Sequence, residues 1–209
     1  MTARRLTISD GESFTTLAAL ELSSIAQGIR CVDAILKEAP VRVLLAEPAS
    51  PGKYLVLFTG AVSEAARSLA RGIELAADAR VDDVLLPAAH EDIIRLLKPR
   101  GKPRRSLTNE REQPALGILE TYSAAGLLGA TDTALKTGET WLLEIHLLAG
   151  IGGKATALIG GDVESVRVAI ESGAAFAAER GVLAHDVVIP RPDPLLAELL
   201  TQRSLDGSG

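Results

Sequence analysis

The sequence predicts an α/β protein built from two tandem copies of one small domain, and three observations carry that prediction. Landmarks recur in the same order at a spacing of about 100 residues, which is too long for a solenoid repeat and long enough for a whole domain. Each half alternates strand-like and helix-like patterns in one order. The composition is 47% hydrophobic but only 3% aromatic, so Ala, Leu, Val and Ile supply the core, which suits helices packed closely on a sheet better than a ring-lined cavity.

The elements follow in order. Leu17 to Leu22 and Ala115 to Thr121 read as opening strands, and Leu20-Glu21-Leu22-Ser23-Ser24 recurs as Leu119-Glu120-Thr121-Tyr122-Ser123. A helix follows, with Ile25, Ile29, Val32 and Leu36 at helical spacing, answered by Ala124, Leu128, Thr131 and Leu135. It ends in Asp33-Ala34-Ile35-Leu36-Lys37, matched by Asp132-Thr133-Ala134-Leu135-Lys136. Two strands come next, Val41 to Ala46 and Tyr54 to Thr59, paralleled by Thr140 to Leu147 and Ala155 to Ile159, each pair flanking a Gly-containing loop. A second amphipathic helix carries Val62, Ala66, Leu69, Ile73 and Ala76, answered by Val163, Val166, Ile170, Ala174 and Ala177. A last strand, Asp83 to Leu86 or Asp186 to Ile189, stops at proline, and a short helix follows.

These limits give domains at 15–98 and 114–201, joined by a linker at 99–113. The run Lys98 to Pro114 holds three prolines and six Lys or Arg, so it reads as a solvated tether. Thr2 to Ser13 and Ser204 to Gly209 read as loose tails.

Composition excludes several classes. A formal net charge of −5 lacks the basic face of a nucleic-acid binder. No run approaches the ~20 apolar residues that span a bilayer, and Met1 to Phe14 has no apolar signal core, so a cytosolic protein is expected. One cysteine, Cys31, leaves no intrachain disulfide and reads as a small buried hydrophobe. His90, His146 and His185 lie singly, without zinc-ligand spacing. Neither an acid/base pair nor an activated nucleophile stands out, so no catalytic residue and no metal ligand is assigned. Gly150-Ile151-Gly152-Gly153-Lys154 superficially suggests a phosphate loop, but position 148 is Leu and position 155 is Ala, which breaks the required spacing.

In combination, Leu116-Gly117-Ile118-Leu119-Glu120, the helix ending in lysine, the Gly-Lys loop, Gly161-Asp162-Val163 and Ile189-Pro190-Arg191-Pro192 resemble the bacterial microcompartment (BMC) shell domain. Two such domains in one chain resemble the tandem-domain trimeric type, and within it the single-disc propanediol-utilisation form. The resemblance implies a four-stranded antiparallel sheet with helices packed on it, ferredoxin-like, in each half. It further implies a homotrimer whose six domains form a pseudohexameric tile with a central pore for metabolites, a structural role in the shell of a compartment in the bacterial cytoplasm, and no enzyme activity. Partners would be other shell proteins, hexamers and pentamers, and the enclosed enzymes, with neither nucleic acid nor membrane.

The resemblance places Ser50, Pro51, Gly52, Ile151, Gly152 and Gly153 at the pore, with Lys53 and Lys154 beside it as charges that favour anions if they face the opening. It places Lys37, Lys136 and Arg191 at the tile edge, where the first half has Ala88 opposite Arg191 and an incomplete pocket. Some trimers of this type hold an iron–sulfur cluster through a cysteine before Pro-Gly-Lys; here that residue is Ser50, so no cofactor is expected. Two rival readings are a regulatory protein of duplicated α/β domains with a small ligand between its halves, and an enzyme using the Gly-Lys loop on a phosphorylated substrate.

Overall fold

In the first half, β1 (Leu17–Leu22), α1 (Ile25–Glu38), β2 (Arg42–Ala49), β3 (Lys53–Thr59), α2 (Val62–Ala76), β4 (Arg80–Leu86) and α3 (Glu91–Leu97) follow one another, with a 3-10 turn at Ala77–Ala79. The second half repeats them as β5 (Ala115–Thr121), α4 (Ala124–Thr137), β6 (Thr140–His146), β7 (Ala155–Gly161), α5 (Val163–Glu179), β8 (Leu183–Ile189) and α6 (Pro194–Asp206). These come from a computed structural model that describes residues 14–98, 101–103, 105–107, 114–148 and 152–206, without the side chains of 201–206.

Each half holds one four-stranded antiparallel sheet, in the orders β2-β3-β1-β4 and β6-β7-β5-β8. The expected ferredoxin-like pattern of strands and helices is therefore present twice. The last strands start earlier than the sequence pattern suggests, at Arg80 and Leu183, because polar Asp82 and His185 still pair with Glu21 and Glu120 on the central strands.

Alternation along β1 divides its side chains between two faces. Ala18, Leu20 and Leu22 join Val56 and Phe58 against Cys31 and Ile35 of α1 and Ala65 and Leu69 of α2. The other face, with Leu17, Ala19, Leu55 and Leu57, belongs to a cluster that continues into the second half through Leu119, Leu127 and Leu128. One apolar cluster thus spans both halves, beside a separate one confined to the first.

The face of α1 departs from the expectation. The buried residues of the helix are Gly28, Cys31 and Ile35, whereas Ile25, Ile29 and Leu36 are 40%, 58% and 50% exposed. Three of the four apolar residues read at helical spacing thus point outward, and the fourth, Val32, packs partly buried against the core. Its matched residues on α4, Ala124, Leu128, Thr131 and Leu135, are all buried, at 3%, 0%, 0% and 3%.

In the linker Lys102 and Arg105 are exposed, as a solvated tether requires, and one described residue departs from it. Leu107 is buried with Leu116, Trp141, Leu143 and Ala197, and Arg105 lies 5.1 Å over the Trp141 ring, an arrangement that favours a cation on the ring face. The rest of the expected linker, 99–100, 104 and 108–113, lies outside the described residues, as does the expected tail from Thr2 to Ser13. At the other end α6 runs on to Asp206, so Ser204 to Asp206 are helical rather than loose, and 207–209 lie outside the described residues.

Side-chain caps set the helix starts. Ser24 and Ser123 hydroxyls accept from Gln27 N at 3.3 Å and Gly126 N at 2.9 Å. At α5 the Asp162 carboxylate accepts from Glu164 N at 3.1 Å and Ser165 N at 3.0 Å. Hydrogen bonds from Ser165, side chain first and then backbone, hold its carboxyl below the usual aspartate range. A depressed folded-state value contributes stability above the unfolded-state value, which disappears as pH falls through the folded one. Asp162→Ala is therefore expected to cost ~1 kcal/mol at neutral pH and progressively less as pH falls below the usual aspartate range, in denaturant titrations across that range; a loss independent of pH would sink the capping account.

Candidate functional site

The chemistry of this chain concentrates where the two halves meet, and it begins with an acid on a buried strand. Glu21 of β1 is 2% exposed. Its Oε1 accepts from Lys53 Nζ at 2.8 Å, and its Oε2 accepts from Ala124 N at 2.7 Å, with Ala125 N at 3.4 Å and Ser123 Oγ at 3.0 Å. A first-half carboxylate thus caps the N-terminus of a second-half helix, where the helix dipole and the unpaired N–H groups favour a negative charge.

Lys53 completes the junction. Its Nζ also donates to Tyr122 O at 2.7 Å and Gly153 O at 3.1 Å. Beside it, the single Ser123 hydroxyl proton is shared between Glu21 and Asp82, with Oγ 2.7 Å from Asp82, and Asp82 also accepts from Arg180, whose guanidinium also reaches Asp83 O. Two acids pair across β1 and β4 here, and the lysine, the arginine and the helix terminus compensate them.

An apolar contact surrounds this network. Val84 of β4 is 7% exposed beneath α4, and a Cβ on Gly129 would come 3.3 Å from its Cγ2. At the far end of α4, Asp132 accepts from His90 N at 2.7 Å while Lys136 Nζ donates to Asp132 at 2.6 Å and to Ala88 O at 2.5 Å. The contact therefore spans the whole length of α4.

Its counterpart surfaces are open. Strand register matches Val84 to Val187 and Asp82 to His185; Val187 is 45% exposed and His185 is exposed. Lys154 pairs with Glu120 at 2.9 Å, as Lys53 does with Glu21, but the pair is 32% and 25% exposed. The hydrogen bond to Glu120 holds the Lys154 ammonium above the usual lysine range. Lys37 pairs with Asp33 at 2.7 Å on the exposed end of α1. One chain thus carries one filled copy of the contact and both halves of an empty one.

The glycine loops sit beside the junction. Ser50, Pro51 and Gly52 are exposed and join β2 to β3, with Ala49 paired to Lys53. Gly52 and Gly153 occupy matched positions at φ of 81° each, a backbone region open to glycine without strain. A Cβ on Gly153 would stand 2.7 Å from Pro51 Cδ and 3.4 Å from Ser50 O, so the two loops lie against each other and Gly153 makes the close approach possible. Gly152 is exposed nearby, and Ile151 lies outside the described residues.

The structure sets Ser50, Pro51 and Lys53 against Gly153, with Gly52, Gly152 and Lys154 adjacent to them in the chain. Lys53 and Lys154 are engaged by Glu21 and Glu120, so neither projects as an uncompensated charge. Lys136 meets the backbone of Ala88, the residue matched to Arg191. Ser50 offers a hydroxyl, and the one thiol, Cys31, is buried with Sγ 3.6 Å from Gly72 O. These residues do not fit an iron–sulfur cluster, which needs thiolates. Among the described residues no group of three or more His, Cys, Asp or Glu side chains could hold a metal ion.

Sequence reasoning passed over Asp82 and Arg180, and used Glu21, Glu120 and Ser123 only as repeat landmarks. A charged residue inside the apolar run Leu17 to Leu22 was the signal for Glu21. Arg180 and Asp82 are 98 residues apart, and nothing local announces their pairing.

Two BMC-type sheets, a matched pair of glycine loops and one filled domain contact define a tandem BMC-domain protein. The BMC domain matches residues 16–89 and again 115–192, and the chain belongs to that family. It is 36% identical over 173 residues to the bacterial microcompartment shell protein PduT of Citrobacter freundii, covering 83% of this chain and 90% of that one. One half resembles the shell protein EutM of Salmonella typhimurium, 36% identical over 85 residues, which are 41% of this chain and 86% of EutM. The crystal structure of a microcompartment protein from Desulfitobacterium hafniense DCB matches 89% of this chain and 99% of its own, at 39% identity and a TM-score of 0.72. A fused permuted hexameric shell protein from the RMM microcompartment shares the fold at 15% identity and a TM-score of 0.58, over 83% of this chain and 86% of that one.

Proposed function

We propose that the chain is a structural shell protein of a bacterial microcompartment, assembling as a homotrimer whose six domains form one tile. The observation that carries this is the unequal burial of matched faces: α4 covers β4 inside the chain, while α1 and β8 are left open with Ile25, Ile29, Leu36 and Val187 exposed. A head-to-tail contact closes a ring when its rotation divides the circle, and three fused pairs fill six places. Each joint covers apolar side chains that the single chain leaves about half exposed, which favours association.

In such a ring the Ser50–Gly52 and Ile151–Gly153 loops of three chains converge on the axis and line a pore of backbone and small side chains. With both lysines compensated, passage is governed by width and backbone polarity more than by net positive charge. Lys37 and Arg191 come together at the corners between chains, where tiles meet other shell proteins. The role is architectural, in the shell within the cytoplasm, and the chemistry belongs to the enclosed enzymes. Where the regulatory reading would seat a ligand, Ala124, Leu128 and Val84 are buried in one apolar cluster.

Electron microscopy of the purified protein, with and without a co-expressed single-domain shell hexamer, tests this. Six-lobed particles with a central opening, incorporated into sheets or shells with the hexamer, are expected. Two-lobed particles that stay out of the shells would contradict the proposal.

A further inference from the structure

The polar centre of the filled contact has a matched set of residues on the empty side. On the filled side, Glu21 accepts from Ala124 N, Ala125 N and Ser123 Oγ, while Lys53 donates to Tyr122 O and Gly153 O. On the empty side, Glu120 and Lys154 form the same ion pair. The residues matched to the remaining partners are Ile25, Ala26, Ser24, Ser23 and Gly52, all in the first half, and a second copy of the chain presents them. The burial difference is in the expected sense, since Glu21 is sealed at 2% and Glu120 stands at 25%.

We infer that Glu120 caps helix α1 of the neighbouring protomer, its carboxylate accepting from Ile25 N, Ala26 N and Ser24 Oγ, while Lys154 bridges to the Ser23 and Gly52 carbonyls. This rests on the proposed ring and names the polar lock of its three joints. The 14-residue α1 has an N-terminus lying beside the exposed Ile25 and Ile29, so cap and apolar face dock together. The joint is not a copy of the filled one everywhere. His185 stands where Asp82 does, and Ala77 where Arg180 does, so the second ion pair of the filled contact has no equivalent between chains. The lock between protomers therefore depends more heavily on its glutamate than the lock within the chain.

The test is sedimentation of the wild type, Glu120→Ala, Glu120→Gln and Glu74→Gln over a wide concentration range. Glu74 is an exposed helix residue paired with Arg71 at 2.6 Å and serves as control. Removing one partner from a desolvated charge contact is expected to raise the concentration at half-dissociation by ~30-fold or more in Glu120→Ala, less in Glu120→Gln and not in Glu74→Gln. Amide exchange at Ile25 and Ala26 reads the cap directly: both should be protected in the wild-type trimer and lose protection selectively in Glu120→Ala trimers held together at high concentration. A wild-type trimer with an unchanged Glu120→Ala trimer and unchanged protection overturns the cap and leaves the ring standing. A wild type that is monomeric throughout overturns both.

Discussion

Ile29→Asp is expected to leave a folded monomer, whereas Leu128→Asp, the same change at the matched position of the other half, is expected to prevent folding. Both residues occupy the same place on the first helix of their domain. Ile29 is 58% exposed and Leu128 is 0% exposed. A carboxylate at Leu128 would be driven unpaired into the shared core at a cost above ~4 kcal/mol, a large part of the stability of an ordinary domain. At Ile29 the carboxylate stays in water while the chain is alone and becomes costly only when a neighbour's β8 covers it. Circular dichroism with native mass reads both outcomes. A trimeric Ile29→Asp protein would remove α1 from the joint, and a well-folded Leu128→Asp protein would contradict the packing of α4 between the halves.

The second large effect is expected at Glu21→Ala. The substitution leaves Lys53 without its counter-ion, 17% exposed beside two carbonyls, and removes the cap from α4. Breaking a buried pair by deleting one partner costs ~3 to 5 kcal/mol, so urea unfolding should show a loss of that size. Glu21→Gln should lose less, because an amide oxygen still accepts from Ala124 N although it no longer balances the lysine. A loss under ~1 kcal/mol for the alanine variant would mean that water replaces the carboxylate and that the junction is held by apolar packing alone.

Much of the fold was legible because the duplication lets each half check the other. The opening strands were readable end to end, since turn residues bound their apolar runs on both sides. The side on which α1 is buried was not readable. Its sequence carries two stripes, and the one at Ile25, Ile29, Val32 and Leu36 is more apolar than the one at Gly28, Cys31 and Ile35 that faces its own sheet. Periodicity identifies an apolar face but not the surface that covers it, and a helix that serves a neighbour's sheet reads like one that serves its own. Leu107 was lost in the linker because one apolar residue among charges gives no period, and its burial depends on Leu116, Trp141, Leu143 and Ala197, all outside the linker. The glycine loops were read from the repeat, their place at a pore was implied by the family resemblance alone, and the Glu21–Lys53 junction came from neither, because its partners in the second half are about 100 residues away.

The mass of the native particle tests the central claim most directly. With a chain of 21.9 kDa, sedimentation equilibrium or native mass spectrometry should give a trimer of about 66 kDa, or larger species in multiples of it as tiles join. A monomer or dimer that persists across the whole concentration range would contradict the ring and leave the exposed faces of α1 and β8 without their partner.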